Sequence, residues 1–194
     1  MDQKHSPVFL RGRRVILRPF GRDDLPVLTR WINDPEVREY IGPFLPKTEV
    51  AEEEWLHKQT DNASEVILAI ETVEEGRLIG SMGLHHINWK DRVATTGALI
   101  GEKDCWGKGY GTDAKMLILS YAFLELNLRK ICSTVIAYND RSLRYSLRCG
   151  YHEEGRQQEQ MFKRGRYWDV VHLAIFREEW EPLWTTYNET GTLR

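Results

Sequence analysis

Three glycines spaced two residues apart stand in the segment 106–114, which reads Trp-Gly-Lys-Gly-Tyr-Gly-Thr-Asp-Ala. Glycine at every second position lets the backbone approach a ligand and point successive N–H groups at it, because no Cβ blocks the way. The helix predicted to follow adds unpaired N–H groups and the positive end of its dipole. The segment therefore predicts a cradle for a pyrophosphate, although a tight turn before a helix explains the same residues.

Two other phosphate-binding loops do not fit this segment. Lys108 lies inside the glycine run, whereas a P-loop places its lysine after the glycines and before Ser or Thr. The spacing also differs from the dinucleotide-binding fingerprint, which follows the first strand of a βαβ unit rather than standing past the middle of the chain.

A second polar segment, residues 139–151, follows a predicted strand and reads as a short helix. It begins with Asn139 and ends with a Gly-aromatic pair, and Arg141, Arg144 and Arg148 share one face of the helix. These arginines are explained either by a solvated helix face or by contacts with phosphate groups.

The elements that must position the two segments follow from hydrophobic periodicity. The glycines are flanked by a strand at 92–100 and by a helix at 112–126, capped by Thr112 or Asp113, and a strand at 130–138 comes next. Elsewhere we predict helices at 23–32 and from Thr48 to about Gln59, and strands at 14–18, 65–71, 77–84, 152–162 and 167–176.

The two segments, in this order and separated by one helix and one strand, resemble the GNAT superfamily of acetyl-coenzyme A dependent N-acetyltransferases. Residues 31–37, Trp106 and the run from 154 to 180 are similar to the subgroup that includes the ribosomal-protein N-terminal acetyltransferases. The similarity spans roughly residues 10–184. It implies one α/β (α+β) domain over residues 1–194, with a mixed, mostly antiparallel, twisted sheet of about seven strands, flanking helices and a splayed parallel strand pair.

The resemblance also implies acetyl-coenzyme A (acetyl-CoA) as cosubstrate and no metal. In the family, the strand before the glycine loop pairs with the pantetheine arm, and one of its N–H groups polarises the thioester carbonyl. The residues that the resemblance assigns to the cofactor are Leu99, Ile100, Gly101, Trp106, Gly107, Lys108, Gly109, Tyr110, Gly111, Thr112, Asn139, Ser142 and Arg148.

Acyl transfer to an amine requires a neutral nucleophile, a polarised carbonyl and a proton for the departing thiolate. Many family members carry the proton donor, a tyrosine, where this chain has Ser146. The ribosomal-protein subgroup implies Ser142 instead, and Tyr145 is the alternative. Glu159 is a candidate general base because it lies two residues from Met161, the position of the subgroup's acidic residue, and so on the same strand face. One of His85 and His86, or water, is the alternative.

On the acceptor side, the resemblance suggests Trp31, Glu54, His85 and Trp89. Three functions stay open: acetylation of a protein N-terminus, acetylation of a small amine such as a polyamine, amino acid or antibiotic, and a non-catalytic coenzyme A (CoA) binding module. A homodimer is one assembly open to the chain.

Composition narrows the classes of function. The chain has 194 residues, is 41% hydrophobic and carries a net charge of −2, which predicts one good core and no bulk attraction for nucleic acid. We find no apolar run of membrane-spanning length and no signal-peptide core, so we expect a cytoplasmic protein without a membrane partner. Cys105, Cys132 and Cys149 lack metal-ligand spacing and are predicted to be core residues.

Overall fold

The computed structural model describes residues 7–59 and 61–193. Their strands form one eight-stranded sheet in the order β1-β2-β3-β4-β5-β6-β8-β7. The strands are β1 Leu10–Arg11, β2 Val15–Arg18, β3 Val66–Thr72, β4 Leu78–Asn88, β5 Val93–Ile100, β6 Lys130–Ile136, β7 His152–Lys163 and β8 Arg166–Phe176. The predicted mixed α/β sheet is confirmed, with β1 as the strand that the prediction missed.

Six α-helices accompany the sheet in the described residues: α1 Leu25–Asn33, α2 Pro35–Arg38, α3 Glu49–Gln59, α4 Tyr110–Ser120, α5 Asp140–Arg148 and α6 Arg177–Thr190. As predicted, Thr48 caps α3, since its hydroxyl accepts from the Ala51 N–H at 3.2 Å. Among these helices, none is long and apolar enough to cross a membrane.

The chain divides into two compact units. The first comprises the residues up to Gly83 together with Ala98–Leu117. Within it, β2 pairs antiparallel with β1 and with β3. Its largest fully buried side chains include those of Leu17, Trp31, Ile70, Ile79, Met82 and Met116.

The second unit comprises Leu84–Gly97 and Ile118–Arg194. Within it, β5 and β6 pair in parallel, and β8 pairs antiparallel with β6 and β7. Phe123 and Trp180 are fully buried, and their ring centroids lie 5.2 Å apart.

Two helices differ from the prediction. The helix after the glycines begins at Tyr110 and becomes a π-helix at Tyr121–Glu125. The C-terminal α6 was not predicted. It contains Pro182 and ends at Gly191, whose φ of 73° is the left-handed conformation that suits glycine at a helix end.

Candidate cofactor and acceptor site

The glycine loop has the backbone conformation that its sequence predicts. Gly107 and Gly109 have φ values of 76° and 88°, which side-chain-bearing residues rarely adopt. Apart from its chain neighbours, no atom of the described residues lies within 4 Å of a Cβ placed on Gly107. Gly111 is different, because it lies within α4 and a Cβ there would meet only Ile100, at 3.8 Å. The first two glycines therefore set the loop's shape, and the third leaves space.

Asp113 has a different role from the predicted helix cap. Its carboxylate is fully buried, and Oδ2 accepts from the backbone N–H groups of Arg14 at 2.7 Å and of Val15 at 3.0 Å. Gly12 makes this contact possible, because a Cβ on Gly12 would lie only 2.5 Å from this oxygen and would keep the carboxylate from the backbone of β2. Asp113 thus ties the first turn of α4 to β2.

Several backbone groups expected to meet the pantetheine arm are already engaged. The Ile100 carbonyl accepts from Trp106 Nε1 at 2.7 Å, and the Gly101 N–H donates to the Ile79 carbonyl at 2.9 Å. The Leu99 carbonyl faces Gly80, where an added Cβ would overlap it. The predicted pairing at 99–101 is therefore restricted to other backbone atoms, and the indole of Trp106 supports the strand end.

Trp31 supports the same segment from below. It is 2% exposed, and a Cβ on Gly101 would overlap its indole ring. Its Nε1 donates to Glu102 Oε1 at 2.8 Å, and Glu102 also accepts from Arg77 at 2.6 Å. The indole of Trp31 is therefore buried packing against Gly101, and its expected place on the acceptor side stays a prediction.

The parallel strands β5 and β6 are neighbours, as predicted. Their register places Val93 beside Lys130, Ala94 beside Ile131 and Thr95 beside Cys132, and both strands continue past the last pair. At the next residue, the Thr96 hydroxyl donates to the Cys132 carbonyl at 3.2 Å. A side chain thus replaces the backbone ladder at that point.

The Gly-aromatic pair of the second motif has a structural explanation. Tyr151 Oη lies 2.9 Å from Thr96 Oγ1, and burial holds the pKa of Tyr151 well above its ordinary value. Gly150 has φ 95°, and a Cβ there would overlap Leu183. Both residues therefore build the unit around β5 rather than offering groups to a ligand.

Helix α5 carries the remaining residues of this motif. Asn139 is its N-cap, with Oδ1 accepting from the Ser142 N–H at 3.1 Å. Ser142 is half-buried in the first turn, whereas Arg148 is exposed in the last turn, where a cation also stabilises the helix dipole. Tyr145 is half-buried, and desolvation followed by the nearby Cys149 raises its pKa.

A β-bulge separates Glu159 from the strand face predicted for it. The register of β7 shifts between Gln157 and Met161, and Glu159 has φ 47°. Its exposed backbone N–H donates to Asp169 Oδ1 at 3.0 Å. The bulge interrupts the alternation of side chains, so spacing from Met161 does not put Glu159 on the same face.

His85 lies close against β5. A Cβ on Gly97 would come within 2.7 Å of its Nε2, so the imidazole packs over a strand position that has no side chain. His85 is half-buried, and its ring centroid is 6.5 Å from that of His86. Trp89, in contrast, is 51% exposed in the turn before β5, at the opposite end of that strand from Leu99. The expected place of Trp89 on the acceptor side stays a prediction.

Glu54 is exposed on α3, whereas its neighbour Glu52 is 3% exposed. Burial raises the pKa of the Glu52 carboxyl, and Lys47 partly opposes that shift. Sequence periodicity did not single out Glu52, because α3 carries four glutamates, Glu49, Glu52, Glu53 and Glu54, without a clear apolar face.

The glycine loop fits a pyrophosphate-bearing cosubstrate on its own geometry. Two glycines hold the loop in left-handed conformations, an eleven-residue helix begins at Tyr110, and Gly111 leaves room above its first turn. Lys108 is exposed in the loop, and Arg14, which the sequence did not single out, lies beside Gly109. In the described ranges, no cluster of His, Cys, Asp or Glu could hold a metal ion.

The glycine loop at the start of α4, following a strand that leaves its parallel neighbour, is the arrangement expected of a coenzyme A dependent acyltransferase. The sequence model described as the acetyltransferase (GNAT) domain matches residues 14–152. The chain belongs to this GNAT acetyltransferase family and is an acetyl-CoA dependent N-acetyltransferase.

Two relatives place it within the family. It is 29% identical over 169 residues to the spermidine N(1)-acetyltransferase of Vibrio cholerae, covering 86% of this chain and 95% of that protein. The crystal structure of that enzyme with CoA and spermine superposes with a TM-score of 0.79, covering 86% and 97% of the chains at 28% identity. A Bacillus subtilis protein described as a candidate ribosomal N-acetyltransferase, YdaF, is 32% identical over 107 residues, covering 55% of this chain and 58% of YdaF.

Proposed function

We propose that the chain transfers the acetyl group of acetyl-CoA to a primary amine of a small molecule, with polyamines as the acceptor class. The observation that carries the acceptor class is the similarity to the spermidine N-acetyltransferase, which extends over most of both chains in sequence and in structure. The similarity to YdaF covers only 58% of that protein, so acetylation of a protein N-terminus is the second candidate.

Charge is consistent with a polycationic acceptor. The chain has a net charge of −2, and the exposed carboxylates of α3 include Glu49 and Glu54. Carboxylates attract protonated amines and raise their local concentration. Glu54 therefore stays our proposed contact for a distal ammonium group of the acceptor.

When bound, acetyl-CoA supplies the thioester. We assign its pyrophosphate to the backbone N–H groups of the glycine loop and the first turn of α4, because the loop glycines and the helix start both favour an anion there. The loop is pre-formed by Gly107 and Gly109 and tied to β2 through Asp113, so little ordering is required on binding.

Two side chains of α5 are proposed proton donors to the departing thiolate. Ser142 is in the first turn, where the Asn139 cap fixes its backbone. Tyr145 carries its proton at neutral pH, as an ordinary tyrosine does, and burial raises its pKa further. Ser142 is our first choice, and Tyr145 is the alternative.

The acceptor amine must lose a proton before it attacks. His85 is our preferred base over Glu159, because His85 lies against the bare backbone of Gly97, whereas Glu159 stands in an exposed bulge. An imidazole nitrogen can accept a proton from an amine as a general base.

A panel of amines tests the proposed function. Purified protein is incubated with acetyl-CoA and one acceptor at a time, and free thiol is measured as CoA is released. We expect spermidine and spermine to accelerate thiol release, and amino acids and N-terminal peptides to do so weakly. Rapid release with peptides alone would favour the second candidate. Tight CoA binding without release for any amine would indicate a binding module.

A further inference from the structure

The basic side chain of the residue that immediately precedes β2 lies beside the glycine loop. Arg14 Nε would be 3.7 Å, and its Cζ 3.9 Å, from a Cβ placed on Gly109, and its NH1 donates to the Lys108 carbonyl at 3.4 Å. Arg14 is separated from this loop by more than ninety residues in sequence, so its position depends on the fold. We propose that Arg14 is a phosphate ligand of CoA and completes the glycine loop as an anion site.

The backbone of Arg14 is fixed on both sides. Its N–H donates to Asp113 Oδ2 at 2.7 Å, and its carbonyl accepts from the Val73 N–H at 2.9 Å. Because Asp113 belongs to the first turn of α4, the same carboxylate fixes Arg14 relative to the helix start. A side chain leaving such a fixed point loses less entropy on binding than one on a mobile loop.

The guanidinium itself is held only weakly. It lies on the exposed side of the loop, and its 3.4 Å contact with the Lys108 carbonyl is long for a hydrogen bond. A guanidinium has five N–H donors in a planar fork that matches the oxygens of a phosphate. With the Lys108 ammonium in the same loop, Arg14 adds a second positive charge to the anion site.

This inference rests on the proposed use of acetyl-CoA, and titration calorimetry separates the two. Wild-type protein, Arg14→Met and Arg14→Gln are titrated with CoA at low and high salt. Arg22→Met is the charge-matched control, because Arg22 is exposed and pairs with Glu53 at 3.4 Å. Thermal unfolding of each variant confirms folding.

Loss of a hydrogen bond to a charged group predicts about tenfold weaker CoA binding for both Arg14 variants. The difference from wild type should shrink at high salt, because ions screen exposed charges. The control should bind as wild type does. Titration with 3′-dephospho-CoA then assigns the contact: a persistent difference indicates the pyrophosphate, and a lost difference indicates the 3′-phosphate.

Two results would overturn the role of Arg14. The first is wild-type CoA affinity in both folded variants. The second is an equal loss of affinity for pantetheine, which has no phosphate, because that would reduce Arg14 to a support for the loop. If the wild-type protein itself failed to bind CoA, the proposed function would fall instead.

Discussion

Replacing Gly111 with alanine should change the stability of the protein and its affinity for CoA in opposite directions. Gly111 is the second residue of α4, and its φ is not positive. Outside the helix, the one atom of the described residues within 4 Å of an added Cβ is Ile100 Cγ1, at 3.8 Å. The protein alone therefore accepts a methyl group at this position. Alanine also favours the helix over glycine by roughly 0.5–1 kcal/mol.

Two free-energy changes set the size of the expected effects, one on the stability of the protein and one on the binding of CoA. For a chain of this length, a gain of about 1 kcal/mol raises the melting temperature by roughly 2–4 °C. In the proposed site the pyrophosphate lies against this first turn, so an added Cβ on Gly111 would hinder its approach to the N–H groups. The loss of one hydrogen bond to a charged group costs about 1.5–3 kcal/mol, which is roughly a tenfold to hundredfold rise in the Kd for CoA.

Calorimetry with CoA and a thermal melt test both expectations on one sample of Gly111→Ala. Gly107→Ala is the informative companion, because the cost there lies in the backbone: φ is 76° and the space around its Cβ is open. That variant should melt at a lower temperature, because the backbone strain lowers its free energy of unfolding by about 1–3 kcal/mol. A stable Gly111→Ala protein with wild-type affinity for CoA would refute the phosphate cradle.

Three further perturbations probe the reaction and the fold. Gly97→Ala should displace the ring of His85 and lower kcat without changing the Kd for CoA. Gly155→Ala is the control and should leave both values unchanged, because the described residues place no atom within 4 Å of its added Cβ. A Gly97→Ala protein with the kcat of wild type would show that His85 is not the base. Ser142→Ala should lower kcat by roughly 10²-fold, the scale of general acid catalysis, and Tyr145→Phe should be mild; the reverse order would transfer the role. Glu52→Gln should raise the free energy of unfolding at pH 7. Burial raises the pKa of the Glu52 carboxyl in the folded state, so wild type loses stability as the pH rises above 4.5, the ordinary pKa of a glutamate. Chemical denaturation should therefore give the two proteins the same free energy of unfolding below about pH 4.

The order of elements around the glycine loop could be predicted from the sequence because local patterns specify it. Strand β5 and the glycines carry alternation and conformational signals that act over a few residues. Thr48 and the break at Asp34-Pro35 mark helix boundaries in the same way, and Asp34 caps α2 by accepting from Glu36 and Val37.

The roles of single side chains were harder to predict, because they depend on contacts between distant segments. Asp113 is a residue type that often caps helices, yet its carboxylate binds the backbone of β2, which begins 98 residues earlier. Trp31 was expected on the acceptor side, yet its ring fills the space beside Gly101. Arg14 gave no local signal. The strand face of Glu159 could not be predicted, because an alternating sequence pattern does not reveal the residue that a β-bulge inserts.

The most direct test of the central claim is a competition for acetyl-CoA. Spermidine and a peptide with a free N-terminus are mixed at equal concentration with the protein, and the acetylated products are counted by mass spectrometry at low conversion. Their ratio equals the ratio of the two kcat/KM values. The proposed function predicts predominantly acetylspermidine. Predominant acetylation of the peptide, at a rate above the reaction without protein, would contradict it.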